Sequence, residues 1–390
     1  MAQKTNSTLL WGIVVILGIL AAFYFMSTQD RSVSEPTTTQ EEGPVLIGVI
    51  APLSGEAAVY GTTVSRAYDL AVEEINAEGG INGRQMKLIY EDGKCTRSDG
   101  ATAAQKLINI DKVQVILGGV CSAETLAAAE ITQAARVLLI SPSATSPDIT
   151  DAGDLVFRTY PSDALEANLM AAYADEELGH ERAALISENT DFAQGVRKAF
   201  IADWIERGNN VVFDEAYETG EADVSNLMTS LRTANAQVIY VIPQTPTSGE
   251  EVLEQMRASS IRAQILGANS LFDQTAFEEK PTLYENMILT RVHLDDQNAK
   301  MRAFLSSFQE KYDEAPNEPF SAAAYDAVYL IAEATSRVGS TDAQALAKYF
   351  NEEVKDWPGV LGAFNFDENG DAELDLSLVE IAGGSIRPIE

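Results

Sequence analysis

The chain has 390 residues, 46% of them hydrophobic and 22% charged, which is enough for two globular domains with cores of their own. Fifty-nine acidic and 27 basic residues give a formal net charge of −32. Nucleic-acid binding requires a basic surface, so this balance excludes nucleic acid as a partner and indicates an acidic, self-repelling surface.

The amino-terminal segment contains an apolar stretch from Leu9 to Met26, 18 residues without a charge, which is about the minimum length for a membrane-spanning helix. Lys4 precedes the stretch, whereas Asp30 and Arg31 follow it. This distribution favours a cytoplasmic amino end and an exported body. The lack of a cysteine after the stretch excludes attachment as a lipoprotein.

A secretory signal peptide cut after Ala22 is the competing interpretation of this segment. We expect residues 1–26 to form a membrane anchor or signal segment, with the uncleaved anchor favoured. Residues 27–44 are rich in Ser, Thr, Gln, Glu and Pro, a composition typical of a flexible stalk. The body would then be extracytoplasmic, in the periplasm or at the cell surface, and tethered to the membrane through residues 9–26.

Beyond the stalk, short apolar runs alternate with helical segments, which predicts an α/β protein with parallel sheets and right-handed crossovers. A first unit is predicted to contain strands 45–51, 86–90, 113–117 and 137–140 and helices 64–76, 100–111 and 123–135. A second unit is predicted to contain strands 182–187, 210–217, 238–242 and 265–268 and helices near 164–178, 192–207, 223–234 and 249–258. Helical segments 300–312, 320–338 and 342–350 follow with too few strands for a third sheet, so we expect them to pack back on one of the two units.

The closing acidic run resembles a calcium loop, because Asp367, Asn369 and Asp371 alternate along it. An EF-hand loop requires glycine at its sixth position, and Ala372 stands there. We therefore predict a hairpin turn and no metal site.

Enzyme motifs are missing from the chain. There is no G-x-S-x-G elbow, no Walker loop and no H-E-x-x-H motif, and neither of the two histidines stands near a nucleophile motif. The glycine-rich run 79–83 follows a predicted helix, whereas a dinucleotide fingerprint must follow a strand. We predict a binding protein that is not an enzyme and needs no cofactor.

Two cysteines, Cys95 and Cys121, make up the whole count. In an exported protein an even pair suggests a disulfide, and two buried thiols are the alternative. Their spacing is far too long for a C-x-x-C metal or redox motif.

Two runs of mainly small residues that contain hydroxyl side chains, 118–122 and 141–145, each follow a short apolar stretch that predicts a buried parallel strand. Ligands of open α/β sheets bind at the carboxyl ends of such strands. Ser122 would cap the helix that starts at residue 123, and the free N–H groups and dipole at a helix start stabilise an anion. Capping of helices and turns alone would also account for these hydroxyl residues. Together the two loops could hold a carboxylate through donors and an ammonium through a carbonyl, as a zwitterionic amino acid requires.

The chain resembles the leucine/isoleucine/valine-binding proteins, the type I periplasmic solute-binding proteins of ABC importers, from about Val45 to Asp371. The landmarks of the resemblance are short and follow one another in order: Ile47 to Gly55, Ala58 to Gly61, Ile75 to Arg84, Asp92 to Cys95, Cys121-Ser122, Ser141 to Pro147, Phe157 to Thr159 and Ala324 to Ala327. Each is a brief pattern, and their order and spacing together are specific.

By this resemblance, Ser122 and Thr145 would hold the ligand carboxylate, and the carbonyl of Ser143 would receive the ammonium group. Aromatic side chains from both lobes would complete the pocket: Tyr60, Phe192 and Phe320. Two positions depart from the family pattern. Thr245 stands where leucine binders carry a tyrosine, and Asn269 stands where they carry an acid for the ammonium group.

The resemblance also implies a disulfide between Cys95 and Cys121 and two Rossmann-like lobes joined by a three-crossover hinge. The crossovers would fall near Thr159 to Asp163, Leu289 to Arg291 and Ala363 to Phe366. Lobe 1 would comprise residues 45–160 and 291–363, and lobe 2 would comprise residues 161–290 and 364–390.

These observations predict an extracytoplasmic solute-binding protein that captures a small amino-acid-like ligand between two lobes and delivers it to an ABC permease. Two alternatives stay open. One is a sensory receptor domain of the same fold that acts with a separate signalling partner. The other is a binder of amides, urea or aromatic acids, since the acid for the ammonium group is missing at Asn269.

Overall fold

The structure is a computed structural model that describes residues 43–292, 297–316 and 319–389. The predicted membrane segment at residues 9–26 and the stalk up to residue 42 lie outside the described residues. Within the described ranges, no helix combines the length and the apolar composition that crossing a membrane requires.

The first sheet is parallel throughout, with the strand order β2-β1-β3-β4-β5. Its strands are β1 Val45–Ala51, β2 Met86–Asp92, β3 Val115–Gly118, β4 Leu138–Ser141 and β5 Val156–Arg158. Helices connect them: α1 Ala58–Ala77, α2 Arg97–Asn109 and α3 Ser122–Ala135. All residues of β3 and β4 are buried, as the unbroken apolar runs predict for strands covered on both faces.

The second sheet has the order β14-β13-β10-β9-β8-β6-β7, and its last two strands in sequence run antiparallel to their neighbours. The strands are β6 Arg182–Glu188, β7 Asn210–Tyr217, β8 Val238–Ile242, β9 Gln264–Gly267, β10 Ile288–Val292, β13 Leu376–Ala382 and β14 Ser385–Pro388. The helices of this half are α4 Asp163–Ala172, α5 Asp191–Glu206, α6 Ser225–Thr233, α7 Pro246–Ala258, α8 Gln274–Glu279 and α9 Pro281–Tyr284. The chain therefore forms two α/β halves, each with its own sheet, as predicted.

Three later helices return to the first sheet, as their lack of partner strands predicts. They are α10 Ala299–Tyr312, α11 Phe320–Val338 and α12 Ala343–Glu353. Phe304, Phe308, Leu330 and Phe350 pack in one hydrophobic core with β1, β3 and α1. A two-stranded ribbon, β11 Trp357–Pro358 with β12 Ala363–Phe364, closes this half.

The chain passes between the halves after β5, after β10 and before β13. The third passage lies later than the expected Ala363 to Phe366. Phe364 and Phe366 pack in the first core, where their rings lie 5.5 Å apart, and Ala372 is buried there too. The structure therefore corrects the expected start of the last lobe 2 segment at residue 364, because aromatic packing keeps these residues with the first sheet. The other lobe limits stay a prediction.

The acidic run after Phe366 forms the predicted hairpin turn. Oδ1 of Asp367 accepts the backbone N–H groups of Asn369 and Asp371 at 2.8 and 2.9 Å, and Phe366 pairs with Ala372 across the turn. The carboxylate of Asp371 is paired with Arg158 at the end of β5. The carboxylates of Asp367 and Asp371, two of the three residues that suggested a calcium loop, therefore bind other groups of the protein.

Candidate functional site

A cavity lies between the two halves, at the carboxyl ends of β3 and β4. Its walls come from both halves: Tyr60, Val120, Cys121, Ser122, Ser143, Thr145, Phe192, Gln244, Asn269, Ser270 and Phe320. Seven of the eight predicted ligand-binding residues are thus brought together. The space measures about 30 Å³, room for a few water molecules.

The loop after β3 places Ser122 at the cavity, and α3 begins at this residue. Cys121, not Ser122, precedes the first helical residue, and the capping contacts come from Glu124. Oε1 of Glu124 accepts the N–H groups of Val120 and Cys121 at 2.7 and 3.1 Å. The expectation that Ser122 caps the helix is therefore wrong. Its hydroxyl instead accepts the N–H of Ser146 at 3.2 Å and joins the two loops.

The loop after β4 supplies the other two hydroxyl side chains. Ser143 Oγ donates to the carbonyl of Val120 at 3.0 Å, which ties this loop to the loop after β3. Thr145 is 2% exposed, and its carbonyl accepts the N–H of Asp163 at 2.9 Å. Hydroxyl groups from both strand ends therefore face one small space beside the start of α3, where N–H groups and the helix dipole favour an anion.

Three aromatic side chains line the cavity. The ring of Tyr60 on α1 meets the ring of Phe320 edge to face, with centroids 6.1 Å apart, and Phe320 also packs against Tyr160 at 5.1 Å. Phe192, at the start of α5, reaches the cavity from the second half and is 5% exposed. These rings form the apolar part of the wall, which suits a hydrophobic ligand group.

The second half contributes polar side chains to the cavity, but Thr245 is not one of them. Thr245 caps α7, where its hydroxyl accepts the N–H of Ser248 at 3.2 Å, and it lines the neighbouring groove rather than the cavity. Gln244, one residue earlier, lines the cavity together with Ser270. Gln244 therefore takes the place in the cavity wall that we expected for Thr245. The reason is that the proline after Thr245 starts the helix and fixes Thr245 as its cap.

Asn269 lies in the cavity wall, in front of two buried carboxyl groups. Its Nδ2 donates to Oδ1 of Asp163 at 2.7 Å, and its backbone N–H donates to the Oε atoms of Glu166 at 3.1 and 3.3 Å. Glu166 is 0% exposed and also accepts the hydroxyls of Tyr240 and Thr290. Sequence reasoning did not find this pair, because two acids among 59 carry no distinguishing signal.

A third buried carboxyl group, that of Glu124, holds the loop after β3 in place through hydrogen bonds to its backbone. Glu124 is 0% exposed, and besides Val120 and Cys121 it accepts the N–H of Cys95 at 3.1 Å. A Cβ on Gly119 would lie 2.3 Å from Glu124 Cγ, so the glycine is required for this close approach. The predicted disulfide between Cys95 and Cys121 is confirmed and joins the same two segments.

Loss of the disulfide is expected to destabilise this half. The bond spans 26 residues, and a loop of that size contributes about 3 kcal/mol in the chain-entropy account. The Cys95→Ala, Cys121→Ala double variant should therefore unfold at lower urea concentration than the wild type. Dithiothreitol should lower the urea midpoint of the wild type by a similar amount and leave the midpoint of the variant unchanged. Equal midpoints for all samples would contradict the prediction.

The buried carboxyl groups are expected to make the fold more stable in mild acid. Burial raises the pKa of Glu124, Glu166 and Asp326 to about 7, from an ordinary value near 4. A carboxyl group whose pKa is raised by folding stabilises the fold fully below its unfolded pKa, and this contribution is lost as the pH rises through 7.

The melting temperature should accordingly fall by several degrees between pH 5.5 and pH 8. Half-molar salt provides the control, because it screens repulsion on the acidic surface but acts little on buried groups. A pH dependence of the melting temperature that disappears in salt would contradict the assignment to buried carboxyl groups. Asp326→Asn should make the melting temperature depend less on pH.

Contacts across the cleft hold the two halves together around the cavity. The Tyr60 hydroxyl donates to the carbonyl of Ser270 at 3.1 Å, and Ser146 Oγ donates to the carbonyl of Asp191 at 3.2 Å. The Arg97 guanidinium binds both carboxylate oxygens of Asp191 at 2.8 to 3.1 Å. Each pair joins a residue of the first half to one of the second, so the structure represents the closed arrangement of the clamp.

Comparison with known proteins agrees with the fold. A family model described as periplasmic binding protein matches residues 44–385. The chain is 27% identical to the Leu/Ile/Val-binding protein of Escherichia coli (strain K12) over 329 residues, which are 84% of this chain and 88% of that protein.

Two solved structures extend the comparison. A leucine-binding protein from Thermotoga maritima superposes with a TM-score of 0.80 at 26% identity and covers 89% of this chain and 98% of its own. The branched-chain amino-acid transporter substrate-binding protein from Streptococcus pneumoniae was solved in complex with isoleucine. It superposes with a TM-score of 0.77 at 28% identity, over 88% of this chain and 97% of its own. The fold, the cavity between its halves and the matched residues establish that this chain belongs to the periplasmic binding protein family.

Proposed function

We propose that the chain is the solute-binding component of an ABC importer and that it captures a small amino acid between its two halves. The observation that carries the proposal is the meeting of Ser122, Ser143 and Thr145, from two neighbouring strand ends, in one cavity at the start of α3. Relatives named for leucine, isoleucine and valine binding support an amino-acid ligand.

In this proposal the ligand carboxylate lies against α3. The hydroxyls of Ser122 and Thr145 and the first N–H groups of the helix would donate to it, without a basic side chain. The Ser143 carbonyl and the polar wall at Asn269 would receive the ammonium group. Tyr60, Phe192 and Phe320 would surround the side chain. Binding rather than catalysis is the task of these residues.

The first half would bind the ligand, and the second half would then close over it. The closed state gains the cross-cleft contacts together with ligand contacts from both halves, so the ligand shifts the balance towards closure. An importer that recognises the closed form would then receive the loaded protein.

Family membership implies an extracytoplasmic location. We further propose that residues 9–26 hold the protein at the membrane, which would keep it beside its permease.

Removal of the hydroxyl groups is expected to weaken ligand binding. Ser122→Ala and Thr145→Ala should each lower the affinity for the best ligand in an amino-acid screen by about 10- to 100-fold, because each removes a donor to a carboxylate. Isothermal titration of the purified chain would measure the affinities. Thr102→Ala is the matched control, since this exposed threonine lies on α2 away from the cleft. Tight binding that survives both cavity changes would contradict the proposed site.

A further inference from the structure

The amide of Asn269 has a fixed orientation. Its Nδ2 donates to Asp163 Oδ1 at 2.7 Å, and the amide also hydrogen-bonds to Glu166. Among the described residues, no hydrogen bond reaches Oδ1 of Asn269, although the side chain lies in the cavity wall. The donors of the amide therefore point to the buried acids, and its carbonyl oxygen is the atom offered to the cavity.

The two carboxyl groups behind the amide are deeply buried and close to each other. Asp163 and Glu166 are 2% and 0% exposed and lie three positions apart on α4. Besides Asn269, the side chain of Thr145 hydrogen-bonds to the carboxyl group of Asp163. Two such groups ionise together only at a large cost, so near neutral pH the pair carries no more than one negative charge.

We propose that Asp163 and Glu166 act through Asn269 to select a ligand that carries a protonated amine. The pair directs the Asn269 carbonyl oxygen into the cavity and places negative charge directly behind it. This arrangement stands at the position where, by the sequence resemblance, leucine binders carry an acid for the ammonium group. The inference rests on the proposed function, and Asp163 and Glu166 are positioning residues because neither lines the cavity.

The surroundings of the pair determine how pH acts on it. Burial raises the pKa of Glu166 to about 7, and burial together with Glu166 raises the pKa of Asp163 well above its usual range. Tyr240 on β8 and Tyr160 before α4 face the pair, and Arg158 on β5 acts on Asp163. Arg291 on β10 acts on Tyr160. The Asp163–Glu166 pair, whose two carboxyl groups titrate together, is therefore the site that changes charge near neutral pH.

The test compares two ligands that differ only in the amine. L-Leucine and L-2-hydroxyisocaproate are titrated into the full chain at pH 5.5 and pH 8, with L-alanine and L-lactate as a smaller pair. The wild type should prefer the amino acid at least tenfold at pH 8 and less at pH 5.5, because full protonation of the Asp163–Glu166 pair removes its negative charge. Affinity for the hydroxy acids should stay level.

Isosteric variants then assign the effect to the buried pair. Glu166→Gln should reduce the preference for the amine about tenfold and remove its pH dependence, and Asp163→Asn should reduce the preference as well. Glu177→Gln is the control, since this exposed acid ends the helical turn Tyr173–Glu177 that follows α4. Loss of affinity that is equal for both ligands would indicate a purely structural role and overturn the inference.

The outcomes separate the two proposals. A wild type that binds neither amino acid overturns the proposed function and this inference with it. A wild type that binds an amino acid, but with the same preference in all variants, overturns the inference alone. If a variant fails to fold, the wild-type pH profile decides, because an amine preference that is equal at pH 5.5 and pH 8 also overturns it.

Discussion

Asp371→Asn is expected to lower the free energy of unfolding by about 3–5 kcal/mol, the range for removing one partner of a buried ion pair. Arg158 is 0% exposed, and its Nε donates to Asp371 Oδ1 at 2.6 Å while Nη2 donates to Oδ2. Asparagine would leave the buried guanidinium without a counter-charge and would turn an amide N–H₂ towards it. Urea denaturation measures the loss.

The same change should also weaken ligand binding. Arg158 Nη1 donates to the carbonyls of Ser146 and Ala144, on either side of Thr145, at 3.0 and 3.4 Å. A guanidinium that loses Asp371 no longer holds this loop in one position. Glu368→Gln is the matched control, because it removes a charge from the same hairpin at an exposed position. Equal urea midpoints for Asp371→Asn and Glu368→Gln would contradict the prediction.

Gly195→Val is expected to lower ligand affinity 100-fold or more while the unliganded fold stays stable. A Cβ at this position on α5 would lie 2.3 Å from Ser146 Oγ and 3.1 Å from Pro147 Cδ, both on the opposite half. Ser146 can rotate away, but the proline ring is fixed by its backbone. The added atoms therefore oppose closure, whereas valine fits an open cleft and is at least as favourable as glycine within a helix.

Two measurements separate closure from folding in this variant. Small-angle scattering should show that ligand contracts the wild type but not Gly195→Val, and thermal denaturation without ligand should give similar midpoints. Ala202→Val is the control, since this exposed residue lies on the same helix away from the cleft. Wild-type affinity in Gly195→Val would show that the halves do not close as the structure describes.

Sequence patterns predicted most of the architecture because parallel strands buried on both faces leave unbroken apolar runs. The missed strands lack this signal. β5 has only three residues, β14 pairs through exposed residues, and β10 was assigned to a crossover. The start of α1 also lies earlier than predicted, at Ala58, because Tyr60, Val64 and Ala67 extend the same buried helical face.

The part of the site that lies at the ends of strands could be predicted from the sequence. Ser122, Ser143 and Thr145 lie at the cavity because two parallel strands end side by side. The choice between Gln244 and Thr245 was not predictable, because a shift of one residue in the loop decides which side chain faces inward. Buried partners such as Asp163 can be recognised only when the fold shows which acids are removed from water.

The way the chain completes its two halves has a consequence for the timing of folding. The first core includes α10, α11 and α12, and the second sheet receives β13 and β14 from the last residues of the chain. While the chain is still being synthesised, both halves lack parts that follow later, and pairing across such long separations is slow. Neither half is complete until the segments that close it have been added, so the folding of both halves depends on contacts between residues far apart in the chain.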